Sequence, residues 1–174
     1  MKAFVVYESL FGNTARIGEA IAASLRIHGM EVQNGPISEI SASALEADLV
    51  VVGAPTHAHG MSRTGTRQAA VQDKRNRFAG SSSMPGIRDW LDGLPPGSGR
   101  MAAAFDTRFD KPRWLTGSAA KGIAGRLEQR GYRLIAPPES FFVTGEHELE
   151  GGETEHATAW GTDLEDRASA SAPR

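Results

Sequence analysis

Ser9-Leu10-Phe11-Gly12-Asn13-Thr14 is the segment whose residue types and spacing speak most directly of chemistry. Hydroxyls at Ser9 and Thr14 flank a glycine that lets the backbone approach a ligand closely. The segment follows an apolar run and precedes a helical pattern. Its amides therefore open a helix, lack intrahelical partners and point outward. Such a cradle suits a phosphate held by neutral donors. It has no lysine, so it is not the loop of nucleotide hydrolases, and it lacks the G-x-G-x-x-G of dinucleotide folds. A monophosphate is the natural ligand.

The other motifs carry less. Gly97 to Ala102 spells G-x-G-x-x-A, but it precedes a strand instead of following one. His57-Ala58-His59 offers two imidazoles and no partner cluster, too few for zinc, and no metal site is expected. A receiver domain needs a carboxylate at the end of its third strand, where this chain has Ala54-Pro55-Thr56. No G-x-S-x-G occurs, and cysteine is absent, so covalent hydrolases lack their usual signatures. Without cysteine, disulfide scaffolds and thiolate zinc sites are excluded too.

The elements that must position the loop follow from periodicity. Lys2 to Glu8 reads as a buried strand, and residues 14 to 28 as a helix with Ile17, Ala20, Ile21 and Leu25 on one stripe. Asn13 or Thr14 is the expected cap and Gly29 the stop. Glu31 to Asn34 reads as an edge strand, Ser41 to Glu46 as a short helix, and Asp48 to Ala54 as a buried strand ended by Pro55. Ser83 to Leu94 has helical spacing at Ile87, Trp90, Leu91 and Leu94. Met101 to Phe105 is a further strand, 106 to 117 a loop, and Ser118 caps a helix closed by Gly131. Tyr132 to Val143 is a strand interrupted at Pro137-Pro138. Glu153 to Arg167 is the last helix, and 168 to 174 is expected to be disordered. Between Arg63 and Arg77 stand five basic residues and one acid. This 60–83 segment is read either as a solvated insertion or as a docking surface for an anionic partner.

Strand and helix alternate about five times, which argues for a doubly wound parallel sheet. Ligands bind such sheets beyond the carboxyl ends of the strands, where Glu8–Thr14, Pro55–Met61 and Asp106–Trp114 should meet. The 174 residues make one domain, with a formal charge of −2 that excludes binding to nucleic acid by overall basicity. No apolar run approaches the roughly 18 residues of a membrane span. A signal-peptide layout is missing, so a cytoplasmic location is expected.

Tyr7 to Thr14, Y-x-S-x-F-G-N-T, resembles the FMN phosphate loop of flavodoxins, with Phe11 where that family usually has threonine. Val50 to His57, V-V-V-G-A-P-T-H, is similar to the strand and loop that cover one face of the flavin ring. Ala103 to Arg108, A-A-F-D-T-R, is similar to the loop on the ring's other side. The resemblance spans roughly residues 2 to 167. It implies a three-layer α/β/α, flavodoxin-like domain over 1–167, with a five-stranded parallel sheet of order 2-1-3-4-5. It implies that Ser9, Leu10, Phe11, Gly12, Asn13 and Thr14 hold the phosphate. Pro55, Thr56, His57, Ala58 and Gly60 would line the ring from one loop, and Asp106, Thr107 and Arg108 from the other. No residue need act as acid, base or nucleophile.

The implied function is noncovalent FMN binding and electron transfer with a redox partner protein or a small-molecule donor or acceptor. One alternative is an FMN-dependent reductase linking a nicotinamide or deazaflavin donor to a quinone-type acceptor. Another is a flavin-free binding module. Two features depart from the family. Its aromatic ring-flanking residues would have to be His57 or His59 and Phe109 or Trp114. The usual strong acidity is also missing, and Arg108, Lys111 and Arg113 outnumber Asp110 in the third loop. Positive charge there would raise the flavin potential.

Overall fold

The central strands are buried along nearly their whole length, which requires cover on both faces of the sheet, and the chain supplies it with helices. The computed structural model describes residues 1–42, 46–57, 60–65, 68, 72 and 86–171. Strands β1 (Lys2–Tyr7), β2 (Glu31–Pro36), β3 (Leu49–Pro55), β4 (Met101–Phe109), β5 (Arg133–Leu134) and β6 (Glu139–Val143) form one parallel sheet. The order is β2-β1-β3-β4-β5, with β6 also on β4. β5 sits opposite Met101 and Ala102, and β6 opposite Phe105 to Phe109. Together they make one fifth strand broken at Pro137 and Pro138, neither of which has an N–H to donate.

Helix α1 (Asn13–Ile27) and helix α5 (Glu153–Ser171) cover one face, where Val5, Ile17, Ile21, Leu49, Phe105, Trp160 and Leu164 form a core cluster. Helix α2 (Ile87–Asp92) and helix α4 (Ala119–Gln129) cover the other, around Val50, Val52, Leu91, Ile123 and Leu127. Each fully buried aliphatic side chain contributes about 1.5–3 kcal/mol of transfer free energy. A single turn of helix, α3 (Arg113–Thr116), follows β4. Ser24 on α1 donates to the Thr158 carbonyl of α5 at 2.9 Å, and a side chain on Gly161 would collide with Ser24.

Three expectations are corrected. β4 runs on to Phe109, so Asp106, Thr107 and Arg108 are strand residues and not loop residues. The reason is pairing on both sides: β3 reaches Asp106 and Thr107, and β6 reaches Phe109. The last helix continues through Ser171 because Ala168 is buried in the core, so 168–171 is ordered. Gly12, not Asn13 or Thr14, is the N-cap of α1. Residues 43–45 of the short helix expected at 41–46, the start of the helix expected at 83 and most of the 60–83 segment lie outside the described residues. So do residues 172–174.

Gly53 in β3 is fixed by packing. A Cβ there would lie 2.1 Å from Cζ of Phe105. Gly53→Ala should lower the unfolding free energy by about 1–3 kcal/mol through overpacking, and Phe105→Leu in the same chain should restore part of it. Urea unfolding of the two variants checks both.

Candidate functional site

The turn after β1 places the phosphate-like cradle. Gly12 adopts φ 88°, a left-handed conformation that favours glycine, and α1 starts at the next residue. The Arg16 N–H bonds the Gly12 carbonyl at 3.0 Å, and the Ala15 N–H bonds the Ser9 hydroxyl at 3.2 Å. Of the four amides that open a helix, those of Asn13 and Thr14 remain as donors among the described residues. The Ser9 hydroxyl, accepting from Ala15, keeps its own proton for a ligand. Oγ1 of Thr14 and Oγ1 of Thr107 lie 2.8 Å apart. One proton serves that bond and the other is left to donate, so the pair acts as a single donor.

Nine of the residues singled out from the sequence line one cavity at the carboxyl ends of β1, β3 and β4. They are Leu10, Phe11, Asn13, Thr14, Pro55, Thr56, His57, Thr107 and Arg108. The cavity has a volume of about 60 Å³. Ser9 and Gly12 belong to the same turn but do not line the cavity. Gly60 instead lines a separate groove with Met61, Arg88 and Ser118. Ala58 and His59 lie outside the described residues.

Asp106 is brought to the right end of the sheet but not to the cavity wall. It is fully buried, and its Oδ2 accepts from the Thr56 hydroxyl (2.9 Å), the Ser118 hydroxyl (2.7 Å) and the Ala120 N–H (2.9 Å). Alternation along β4 turns it toward α4, whose positive start its charge satisfies. The Ala119 N–H donates to the Thr56 hydroxyl at 2.8 Å, so Thr56 too spends its side chain on this helix start. Glu8 does the same for α2, accepting the Ile87 N–H at 2.8 Å. Trp114 is 82% exposed on α3 and does not line the cavity.

Three lining residues come from elsewhere: Phe109, Val143 and His147. Phe109 was anticipated as an aromatic neighbour of the site. His147 was missed. It sits in the turn after β6, where the Thr144 N–H donates to the Glu148 carbonyl and the His147 N–H to the Thr144 carbonyl. His147 holds φ 59°, and its carbonyl accepts from Nδ2 of Asn13 at 2.6 Å. Its ring stacks on Phe11 with centroids 4.5 Å apart and planes 9° apart, and it tilts against Phe109. The signal available in the sequence was the rule that every strand end on this edge adjoins the site.

His57 closes a tight turn through mutual backbone bonds with Gly60 at 2.8 and 3.0 Å. Its Nε2 is buried and has no hydrogen-bond partner among the described residues. Burial pushes the imidazole below its ordinary value, and the neighbouring His147 adds to the shift. The wall thus carries a neutral ring with one free polar atom.

No protein-family model matches the chain, and no curated protein matches it in sequence. Solved structures do. A flavodoxin from the domain Archaea superposes with TM-score 0.68 at 20% identity, over 97% of this chain and 99% of that one. Oxidised flavodoxin 1 from Bacillus cereus gives 0.69 at 20% identity, over 99% and 100%. Rubredoxin oxygen:oxidoreductase from Desulfovibrio gigas gives 0.62 at 18% identity, over 97% of this chain and 36% of that one. The chain has the flavodoxin-like fold. Among the described residues no helix is long and apolar enough to cross a membrane.

The lowered pKa of His57 has a consequence for stability. From about pH 6.5 downward the unfolded chain takes up a proton that the folded chain refuses, so stability is full above that pH and falls on acidification. Urea midpoints measured from about pH 7.5 to about pH 5 should fall, and His57→Gln should flatten part of that slope.

Proposed function

We propose that this chain binds FMN noncovalently and passes electrons between a redox partner protein, or a small-molecule donor, and an acceptor. The observation that carries the reading is the Ser9–Thr14 turn, a set of uncharged donors at a helix start that opens onto a cavity beyond the strand ends. The donor chemistry fits a phosphate monoester. The unpartnered Nε2 of His57 fits the polar edge of a flavin ring, and Phe11, Phe109 and His147 fit its apolar faces. The resemblance in the turn and the flavodoxin-like fold support the same reading.

When bound, the flavin supplies the one- and two-electron chemistry. Ser9 and the Asn13 and Thr14 amides hold the phosphate without a cation. His57 meets the ring as a neutral imidazole. Arg108 places positive charge beside the cavity, which favours a more negative, reduced cofactor and a potential above that of acidic flavodoxins. Asp106 and Thr56 would keep the strand ends aligned beneath the cavity.

The cavity of about 60 Å³ is far below the roughly 300 Å³ that ligand pockets of this kind need. The Phe11–His147 stack is the contact that must part to admit the ring. The reductase reading stays open beside the carrier reading because a buried cation, Arg108, lines the cavity. It predicts turnover with a small donor alone, whereas a carrier needs a partner reductase. A protein that stays colourless with added FMN would be the flavin-free module instead.

Gly12→Val combined with Thr14→Ala should weaken FMN binding at least about tenfold, or about 1.4 kcal/mol, with the fold intact by circular dichroism. Unchanged affinity in an absorbance titration would place the phosphate elsewhere. His147→Gly removes the stacked ring and relieves the left-handed backbone. It should speed FMN association several-fold in stopped-flow mixing; an unchanged rate would mean that the stack is not the gate.

A further inference from the structure

Arg108 is 7% exposed, yet its guanidinium pairs with no carboxylate among the described residues. Nη1 donates to the carbonyls of Phe109 (3.2 Å) and Lys111 (2.6 Å) and reaches the Thr116 hydroxyl at 3.4 Å. The guanidinium carbon lies 4.9 Å from the centre of the Phe142 ring. Every partner is neutral. Among the described residues, buried Nε has no partner and Nη2 makes no hydrogen bond. The opposite charge two positions back on the same face, Asp106, spends Oδ2 on Thr56, Ser118 and Ala120, and its buried Oδ1 has no hydrogen-bond partner among the described residues.

A buried cation without a counter-charge is costly, and a buried donor without an acceptor adds to that cost. The Nε–Nη2 edge is also the geometry that grips an oxyanion through two parallel hydrogen bonds. Arg108 lines the same cavity as the turn at Ser9–Thr14, but from the other side of the sheet. Thr107 faces Thr14, so Arg108, the next residue on the strand, faces away from that turn. The anion it answers is therefore not the phosphate the turn would hold.

We infer that the Nε–Nη2 edge of Arg108 binds the oxyanion, a carboxylate or a phosphate, of a small-molecule electron donor or acceptor. The inference rests on the proposed redox reading for its biology. The binding site itself is tested without it. Nη1 fastens the Phe109–Thr116 turn, while the opposite edge is left for the ligand.

The experiment is calorimetric titration of the purified chain, with and without FMN, using benzoate, phenyl phosphate and the uncharged benzamide. Either anion should bind at least about tenfold more tightly than benzamide, which is about 1.4 kcal/mol. Benzoate and phenyl phosphate in separate titrations tell carboxylate from phosphate. Arg108→Gln should abolish the preference, with the fold intact by circular dichroism. Arg108→Lys keeps the charge and the fold but lacks the planar edge, so it should lose most of the preference. Equal binding of anion and amide, or retained preference in both variants, overturns the inference. A drop in FMN affinity without one in anion binding overturns it too, because the guanidinium would then serve the cofactor. Failure of FMN to bind sinks the redox reading and leaves the anion result standing.

Discussion

The buried Asp106 carboxylate is what the site's geometry rests on. One oxygen accepts from Thr56 at the end of β3, from Ser118 at the cap of α4 and from Ala120 in its first turn. Two strand ends and a helix start thus meet at one charge. An unpaired buried carboxylate would be expensive; the three hydrogen bonds that Oδ2 accepts at a helix start offset that cost and hold their donors in place, while Oδ1 has no partner among the described residues. With those ends fixed, Thr107 falls opposite Thr14 and His57 turns over the cavity.

The two sides of the cavity handle charge differently. On the α1 side, every donor is neutral, and the helix start provides the positive potential. On the α4 side, a full positive charge is buried and, among the described residues, held by carbonyls, a hydroxyl and an aromatic face. A flavin placed between them would meet weak attraction at its phosphate end and a strong field on the side of Arg108. This sets the chain apart from the strongly acidic surroundings its resemblance suggests.

Phe11 makes sense in the same frame. It costs the turn one hydroxyl, where the resembling loops have threonine, and in exchange it gives His147 a face to stack on. Asn13 holds the same segment through its side-chain amide. The turn at Ser9–Thr14 and the turn after β6 are therefore one packed unit, held by a ring stack and a side-chain hydrogen bond.

Local pattern alone carried much of this. The apolar strands, the amphipathic stripe of α1, the proline break in the last strand and the neutral-donor turn were all legible. Each depends on neighbours within a few residues, where periodicity and backbone chemistry act directly. The end of β4 was not legible. Asp106, Thr107 and Arg108 are polar and read as loop, and only pairing with β3 and β6 makes them strand. Their roles then follow from the pleat, which turns Thr107 to the cavity and Asp106 and Arg108 to the opposite face. His147 carried no mark in its own segment, since its value lies in Phe11 and Asn13, more than a hundred positions away. The sequence by itself determined which residues could grip a phosphate; the tertiary structure decided which polar groups were already spent on each other, because only folding sets donors and charges at bonding distance.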